Sequence, residues 1–301
     1  MNRKEFLFKS VLASVGLSLI PKLTFGKDSL TNQKLNLIES LKVYAQENME
    51  LNFKKDFFSK WSKDESPHYY LYVSEAHQVK SPKGIKDYLY FGPDKEMAIA
   101  KQKHYLGEGC HTLLYTRDGA HDFTVTNSLL AFDNESIALL LFHEAAHQHF
   151  KKSKMNLFLE EGACEVFGTF GAQFFAEGND TVDLKKVKKL SKILEKSYEV
   201  INKTIVRIGA DEDLNEKLYR RLENKLFNDF KDSGSFIQQR FIYPVNNAYL
   251  LKNQYFAEYF DLLKKVAEKD KFINTFLYTL ESLPKKQDKA IEVLKSKISA
   301  E

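Results

Sequence analysis

The sequence predicts an α+β protein, and three observations support this class. Segments 68–76, 87–92 and 111–116 are rich in aromatic and β-branched residues, which favours strands. From residue 134 onward nearly every segment has the apolar spacing of a helix. The character of the chain therefore changes at Asp133. We expect a small N-terminal α/β unit with a mixed sheet, followed by a mainly helical C-terminal lobe.

The individual elements follow from local patterns. Apolar residues at helical spacing predict a helix over 30–62, and Asp94 starts another over 94–107. The sequence RDG at 117–119 predicts a turn, and the apolar segment 122–132 predicts a further extended stretch. The helices predicted in the C-terminal lobe cover residues 134–151, 158–176, 183–208, 212–231, about 243–267, 269–281 and 285–298.

The composition is that of a globular protein with modest charge. The chain has 301 residues, of which 43% are hydrophobic, enough for one large domain or two lobes with a sizeable core. The net charge is +4, and the lysines are interleaved with Glu and Asp rather than gathered on one face. We therefore expect no nucleic-acid partner.

Residues 1–26 have the features of an export signal. A basic start, "MNRKEFLFKS", precedes the apolar stretch "VLASVGLSLIP", which is too short to span a bilayer comfortably. The start resembles a twin-arginine signal in which Arg3 and Lys4 replace the arginine pair; the general secretory route and an uncleaved anchor are the alternatives. We predict cleavage after Gly26, a periplasmic or extracellular location in a bacterium, and no membrane association afterwards. Residues 27–132 and 133–301 then form one domain.

Two cysteines, Cys110 and Cys164, are present. An oxidising compartment would permit a disulfide between them. Two buried thiols fit the sequence equally well, because the distance between the two Cα atoms is not encoded locally.

The stretch "LLLFHEAAHQHF", residues 139–150, contains a His-Glu-x-x-His motif. His143 and His147 are four residues apart, so on a helix both imidazoles can reach one ion. In this motif the histidines bind zinc and Glu144 takes a proton from water. The alternative is a buried helix whose histidines are packing residues. His149 lies on a different face and is expected outside the site.

A hydrolytic zinc site needs a third protein ligand and one open position. All eight histidines lie between His68 and His149, so the third ligand must be a carboxylate. Glu161, in "LFLEEGACEVFG" at 157–168, follows the motif at a distance that allows one turn and an antiparallel return. Glu160 is the alternative ligand, since helix register is uncertain by one residue.

The pair "HEAAHQ" and "EEGACEVFG" resembles the gluzincin-type, MA-clan zinc metallopeptidases in their short-spacer form. The specific resemblance covers about residues 137–170. It implies a zincin-like fold, one Zn²⁺ per chain with Glu161 as third ligand, and a peptide or protein substrate. It also implies that Glu165 hydrogen-bonds a ligand histidine; the alternative is a surface glutamate. No Gly-x-Met-x-Asn segment is present, which weakens an aminopeptidase assignment.

A second donor for the reaction's oxyanion is expected from "RFIYPVNNAYLLKNQYF", residues 240–256, because no histidine lies in the C-terminal half. Tyr243 is the first candidate, since related domains place a tyrosine just before a similar helix. Tyr249 and Arg240 follow. For each tyrosine the alternative is a role in packing.

These patterns predict an exported zinc metallopeptidase with Glu144 as general base. The competing hypotheses are a non-catalytic, zinc-stabilised binding protein and a helical scaffold with core histidines. An intact Glu144 argues against the binding protein, because a structural zinc site needs no base and usually has four protein ligands. A peptide substrate is expected to pair with an edge strand, for which 122–132 is the first choice.

Overall fold

The α+β class is confirmed, because helices predominate and three strands form one small sheet. The predicted export signal lies outside the residues that the structure describes. None of the described helices is long and apolar enough to cross a membrane. The computed structural model describes residues 29–60, 67–85, 88–118, 124–151, 153, 155–231, 238 and 240–299.

The N-terminal part alternates helices and strands, and the C-terminal part is helical. The N-terminal elements are α1 (Ser29–Glu47), β1 (Pro67–Ser74), β2 (Leu89–Tyr90), α2 (Lys95–Gly107), β3 (His111–Asp118) and α3 (Asn127–Leu130). The C-terminal elements are α4 (Asn134–Phe150), α5 (Leu157–Glu177), α6 (Leu184–Ile205), α7 (Glu212–Phe230), α8 (Asn247–Ala257), α9 (Phe260–Asp270), α10 (Ile273–Glu281) and α11 (Gln287–Ser299).

The described strands form an antiparallel sheet in the order β2-β1-β3. The predicted mixed sheet is therefore wrong for this part of the chain. The connection after β2 passes through α2 and brings β3 to the other side of β1 in the antiparallel sense, with Tyr70 opposite Tyr115. Arg117 lies within β3, opposite His68, and not in the turn that the sequence RDG predicted.

Two further predicted elements are wrong. The helix predicted over 30–62 ends at Glu47, and Glu50 has a φ of 57°, a left-handed backbone that a right-handed helix does not contain. The extended stretch predicted over 122–132 instead contains the helical turn α3. The Thr126 side chain accepts a hydrogen bond from the Leu129 amide and so starts that turn. Residues 122 and 123 lie outside the described part.

The C-terminal helices begin and end close to the predicted positions, apart from the segment 243–267. That segment starts only at Asn247, after the cap Asn246, and divides into α8 and α9 at Glu258. Helix α8 packs on α5, on α6 and on strands β1 and β3. It therefore joins the sheet to the helical lobe.

Helices α4 and α5 form the centre of the core. Helix α4 is buried on nearly all sides, from Glu135 to Ala146. A Cβ atom at Gly168 of α5 would lie 2.9 Å from the carbonyl oxygen of Leu139 and 3.4 Å from Cβ of His143. The two helices therefore approach closely only because residue 168 has no side chain.

We expect Gly168→Ala to lower the free energy of unfolding by about 1–3 kcal/mol, because the added methyl group must push α5 away from α4. Urea unfolding followed by circular dichroism measures this difference. Gly107→Ala is the matched control, since a Cβ there meets no atom within 4 Å. Equal stability of the two variants would contradict the close contact.

Candidate metal centre

Helix α4 places two imidazoles on one face. Asp133 caps the helix by accepting a hydrogen bond of 2.7 Å from the Ser136 amide. His143 and His147 lie one turn apart, with ring centroids separated by 4.8 Å. Their Nε2 atoms are 3.1 Å apart and face the same point.

Helix α5 brings a carboxylate to the same point. Its cap, Asn156, accepts a hydrogen bond of 2.9 Å from the Phe158 amide and fixes where the helix begins. Oε2 of Glu161 then lies 3.2 Å from Nε2 of His147 and 3.7 Å from Nε2 of His143. These are the His143, His147 and Glu161 atoms that the sequence proposed as ligands, and together they could hold a metal ion.

The three donor atoms have the spacing of a tetrahedral zinc site. With zinc bonds of about 2.0–2.1 Å, two tetrahedral ligand atoms lie about 3.3 Å apart. The observed separations of 3.1, 3.2 and 3.7 Å bracket that value. Two imidazoles and one carboxylate also match the donor set of hydrolytic zinc sites. The residues therefore fit the metal that the motif implies.

Each histidine has a second carboxylate behind it. Nδ1 of His147 lies 3.0 Å from Oε1 of Glu160, so the alternative ligand Glu160 faces the outer nitrogen and Glu161 the inner one. Nδ1 of His143 lies 3.0 Å from Oε1 of Glu165, although the imidazole N–H is not well aligned with that oxygen. Carboxylates in this position orient ligand histidines and raise their basicity.

Glu165 is buried and so is not the surface glutamate that the sequence left as the alternative. It has two further partners. The Tyr198 hydroxyl donates to Oε2 of Glu165 at 2.9 Å, and the guanidinium of Arg240 donates to Oε1. Burial would raise the pKa of Glu165, but Arg240 and His143 outweigh it and lower that pKa to about 2. Glu165 is therefore a buried carboxylate that stays ionised.

Glu144 faces the cavity beside the triad and pairs with Arg117. Its Oε1 lies 2.6 Å from Nη2 of Arg117, and its side chain is almost completely buried. Burial would raise the pKa of Glu144, but Arg117 together with His143 and His147 outweighs burial and lowers it. Arg117 was not among the site residues predicted from the sequence. The alternation of side chains along β3, which puts Tyr115 and Arg117 on one face, is the pattern that could have identified it.

The predicted oxyanion donors are not brought to the cavity as expected. Tyr249 is fully buried and donates to the carbonyl of Phe241 at 3.1 Å. Tyr243 packs edge-on against Tyr115, with centroids 5.8 Å apart, and is not among the described residues that line the cavity. Arg240 does line the cavity, but its guanidinium is engaged by Glu165. Neither Tyr243 nor Tyr249 is among the described residues that line the cavity, whereas Arg240 is.

The cavity has a volume of about 260 Å³. One wall is the motif helix with Glu161 and Glu165, and the opposite wall comes from the sheet. The aromatic residues on the sheet side include Tyr70, Tyr72, Tyr88 and Tyr115, and the cations are Arg117, Arg240 and Lys252.

The two cysteines are free, so the disulfide that the sequence left open is not formed. Cys164 is buried beside His147. Burial raises the pKa of the Cys164 thiol to about 12. His149 lies outside the site, where its Nε2 contacts Glu281 at 3.0 Å.

No protein-family model, curated protein or solved structure matches this chain. The function is therefore inferred from the site itself, from the donor triangle of His143, His147 and Glu161 and from Glu144 next to it. If these three residues held a zinc ion, one position would remain for water or substrate.

We expect Glu161→Gln to weaken zinc binding at least about tenfold more than Glu160→Gln. The first change removes an anionic ligand, whereas the second removes an outer partner, a loss that typically costs 10–100-fold. Competition with a chromophoric chelator measures both affinities on otherwise identical proteins. A larger loss in Glu160→Gln would show that the ligand assignment is reversed.

We expect Glu165→Gln to be less stable than the wild type by about 3 kcal/mol at neutral pH, because it leaves Arg240 buried and unpaired. The pKa of Glu165 in the folded protein, about 2, lies below its ordinary value of 4.5. The stabilisation is therefore fully present above pH 4.5 and is lost as the pH falls toward 2.

Chemical unfolding of the metal-free wild type and Glu165→Gln between pH 2 and pH 7 measures how their difference in stability depends on pH. Tyr198→Phe is the control, since it removes one hydrogen bond, worth about 1 kcal/mol, and leaves the ion pair intact. A stability difference between wild type and Glu165→Gln that does not change with pH would contradict the ionised state of Glu165.

Proposed function

We propose that this chain is a zinc metallopeptidase with a zincin-like fold, which hydrolyses peptide bonds. The observation that carries the proposal is the triangle of His143, His147 and Glu161 donor atoms, with separations of 3.1–3.7 Å, beside the carboxylate of Glu144 in one cavity. The resemblance of residues 137–170 to the gluzincin-type enzymes supports it. A purely structural metal site would have no use for a carboxylate in that position.

In this proposal Glu144 is the general base. A bound zinc ion would supply Lewis acidity, which lowers the pKa of a water molecule and polarises the scissile carbonyl. Glu144 accepts a proton as that water attacks, and then transfers the proton to the leaving amine. The lowered pKa of Glu144 keeps the carboxylate in the ionised form that a general base needs.

Arg117 is proposed to take the role that the sequence analysis gave to Tyr243. Its guanidinium lies beside Glu144 at the cavity wall and stays charged, because the neighbouring carboxylate raises its pKa. A guanidinium has five N–H donors, so Arg117 can contact Glu144 and still donate to negative charge that develops on the substrate oxygen.

The substrate is proposed to lie along β3 and not along 122–132, which contains the turn α3. In the described sheet β3 is an edge strand, and it carries Tyr115 and Arg117 into the cavity. Edge strands bind extended peptides through main-chain hydrogen bonds.

The export of the enzyme to the periplasm or beyond is proposed from residues 1–26 alone.

We expect one zinc per chain in both the wild type and Glu144→Gln, and cleavage only by the wild type. Glutamine has nearly the same shape but cannot accept the proton, so the rate should fall by at least about 100-fold. Elemental analysis and mass spectrometry of a mixed peptide library after incubation measure metal and cleavage on protein lacking residues 1–26.

Glu135→Gln is the control on the same helix. Glu135 is also buried in α4, but it accepts a hydrogen bond from the Asp183 amide far from the triad, so this variant should retain metal and cleavage. Zinc without cleavage in the wild type would favour the non-catalytic binding protein. Absence of metal from every variant would make His143 and His147 packing residues.

A further inference from the structure

Lys252 is a buried amino group at the wall of the candidate active site. It lies on α8, is 3% exposed and lines the same cavity as the triad. Its Nζ lies 4.4 Å from the ring centroid of Tyr115 and makes a long hydrogen bond of 3.4 Å to the carbonyl of Arg240. No carboxylate in the described part of the chain forms an ion pair with it. Lys252 is therefore a buried cation without an anionic partner.

The other two cations that line the cavity, among the described residues, each have a carboxylate. Arg117 pairs with Glu144 and Arg240 pairs with Glu165. A buried ammonium group without such a partner is costly, and proteins keep one mainly where it has a function. Burial, together with the nearby Arg240, lowers the pKa of Lys252 to about 7, which reflects this missing partner.

The charge of the cavity favours an anionic ligand. Its described lining has three carboxylates, Glu144, Glu161 and Glu165, and three cations. When Lys252 is protonated, a divalent ion at the triad would leave an excess of two positive charges in the described lining. Lys252 is the cation of that lining that has no carboxylate partner. A ligand carboxylate at Lys252 would neutralise part of this excess.

We propose that Lys252 binds the C-terminal carboxylate of the substrate, so that the enzyme cleaves peptides near their C-terminal end. The inference rests on the proposed peptidase function and adds a substrate class to it. The cavity has a volume of about 260 Å³, which suits a short segment of a peptide.

The surroundings of Lys252 also suit the end of a peptide. Tyr115 lies under the amino group, and Tyr70 continues this aromatic wall at a centroid distance of 6.4 Å. Tyr88 lies 5.3 Å from Tyr70. Rings at these distances can pack against an apolar terminal side chain while the carboxylate points toward Nζ.

Binding of matched peptides to the zinc-loaded Glu144→Gln protein tests the proposal without catalysis. The probes are acetyl-Ala-Phe-Phe as the free acid, the same peptide as its C-terminal amide, and acetyl-Ala-Phe-Glu amide. We expect the acid to bind at least about tenfold more tightly than the first amide, because a charged hydrogen bond is worth about 1.5–3 kcal/mol. In Glu144→Gln/Lys252→Met this preference should fall to about one.

Calorimetry gives each dissociation constant. Equal binding of the acid and the first amide would overturn the inference. Tight, Lys252-dependent binding of the glutamate amide alone would also overturn it, since a side-chain carboxylate would then be the ligand. A preference for the acid that survives Lys252→Met would place the carboxylate on the metal or on an arginine, and would overturn the role of Lys252.

A second measurement needs neither metal nor peptide. We expect Lys252→Met to raise the midpoint of thermal unfolding by about 2–4 °C, because it replaces a buried unpaired charge by an apolar group of similar size. Lys34→Met is the control and should lower the midpoint, since Lys34 donates to the carbonyls of Leu130 and Phe132. A Lys252→Met midpoint as low as that of Lys34→Met would make Lys252 a structural residue.

The two proposals fail in different ways. Intact cleavage by the wild type with equal binding of acid and amide would overturn the inference and leave the peptidase. A preference for the acid that is lost in Lys252→Met, in a protein that cleaves nothing, would support the carboxylate pocket and overturn the peptidase.

Discussion

The contact between α4 and α5 admits no side chain at residue 168, where a Cβ would lie 2.9 Å from the backbone of α4. The rest of the site depends on this approach. His143 and His147 lie on one helix and Glu161 on the other, and two ligand atoms of a tetrahedral zinc site would lie about 3.3 Å apart. A wider separation of the helices would move the carboxylate away from the two imidazoles. The glycine therefore fixes a chemical distance as well as a packing distance.

The same contact gathers carboxylates in a buried space, where they would repel one another without cations. Glu165 is neutralised by Arg240, and Glu144 by Arg117. Glu161 differs, because its nearest partners are two imidazole nitrogens and no Lys or Arg in the described part of the chain forms an ion pair with it. No described Lys or Arg balances its negative charge, which suits Glu161 to a cation better than Glu144 or Glu165. Glu160 also lacks such a partner, but it faces the outer nitrogen of His147.

The sequence predicted helices α4 and α5 to within a residue or two, because their signals are local. A capping residue, Asp133 or Asn156, precedes a strongly apolar helix in each case. The helix over 30–62 and the mixed sheet were predicted wrongly for the opposite reason. The break after Glu47 and the antiparallel return of β3 are set by contacts with distant segments, and periodicity within a short window does not contain them.

The site itself divides in the same way. The triad and its outer carboxylates lie within one pair of consecutive helices. The spacing of His143 and Glu161 in the sequence was therefore enough to predict that they lie close together. The opposite wall is assembled from β3 and α8, whose residues are far apart in the chain. The sequence pointed there to Tyr243, which is not among the described lining residues, and not to Arg117 and Lys252, which are. Metal ligands that need a fixed spacing form a local motif in the sequence. A cation that binds substrate can reach the cavity from any element, so such residues can be identified only when the fold is known.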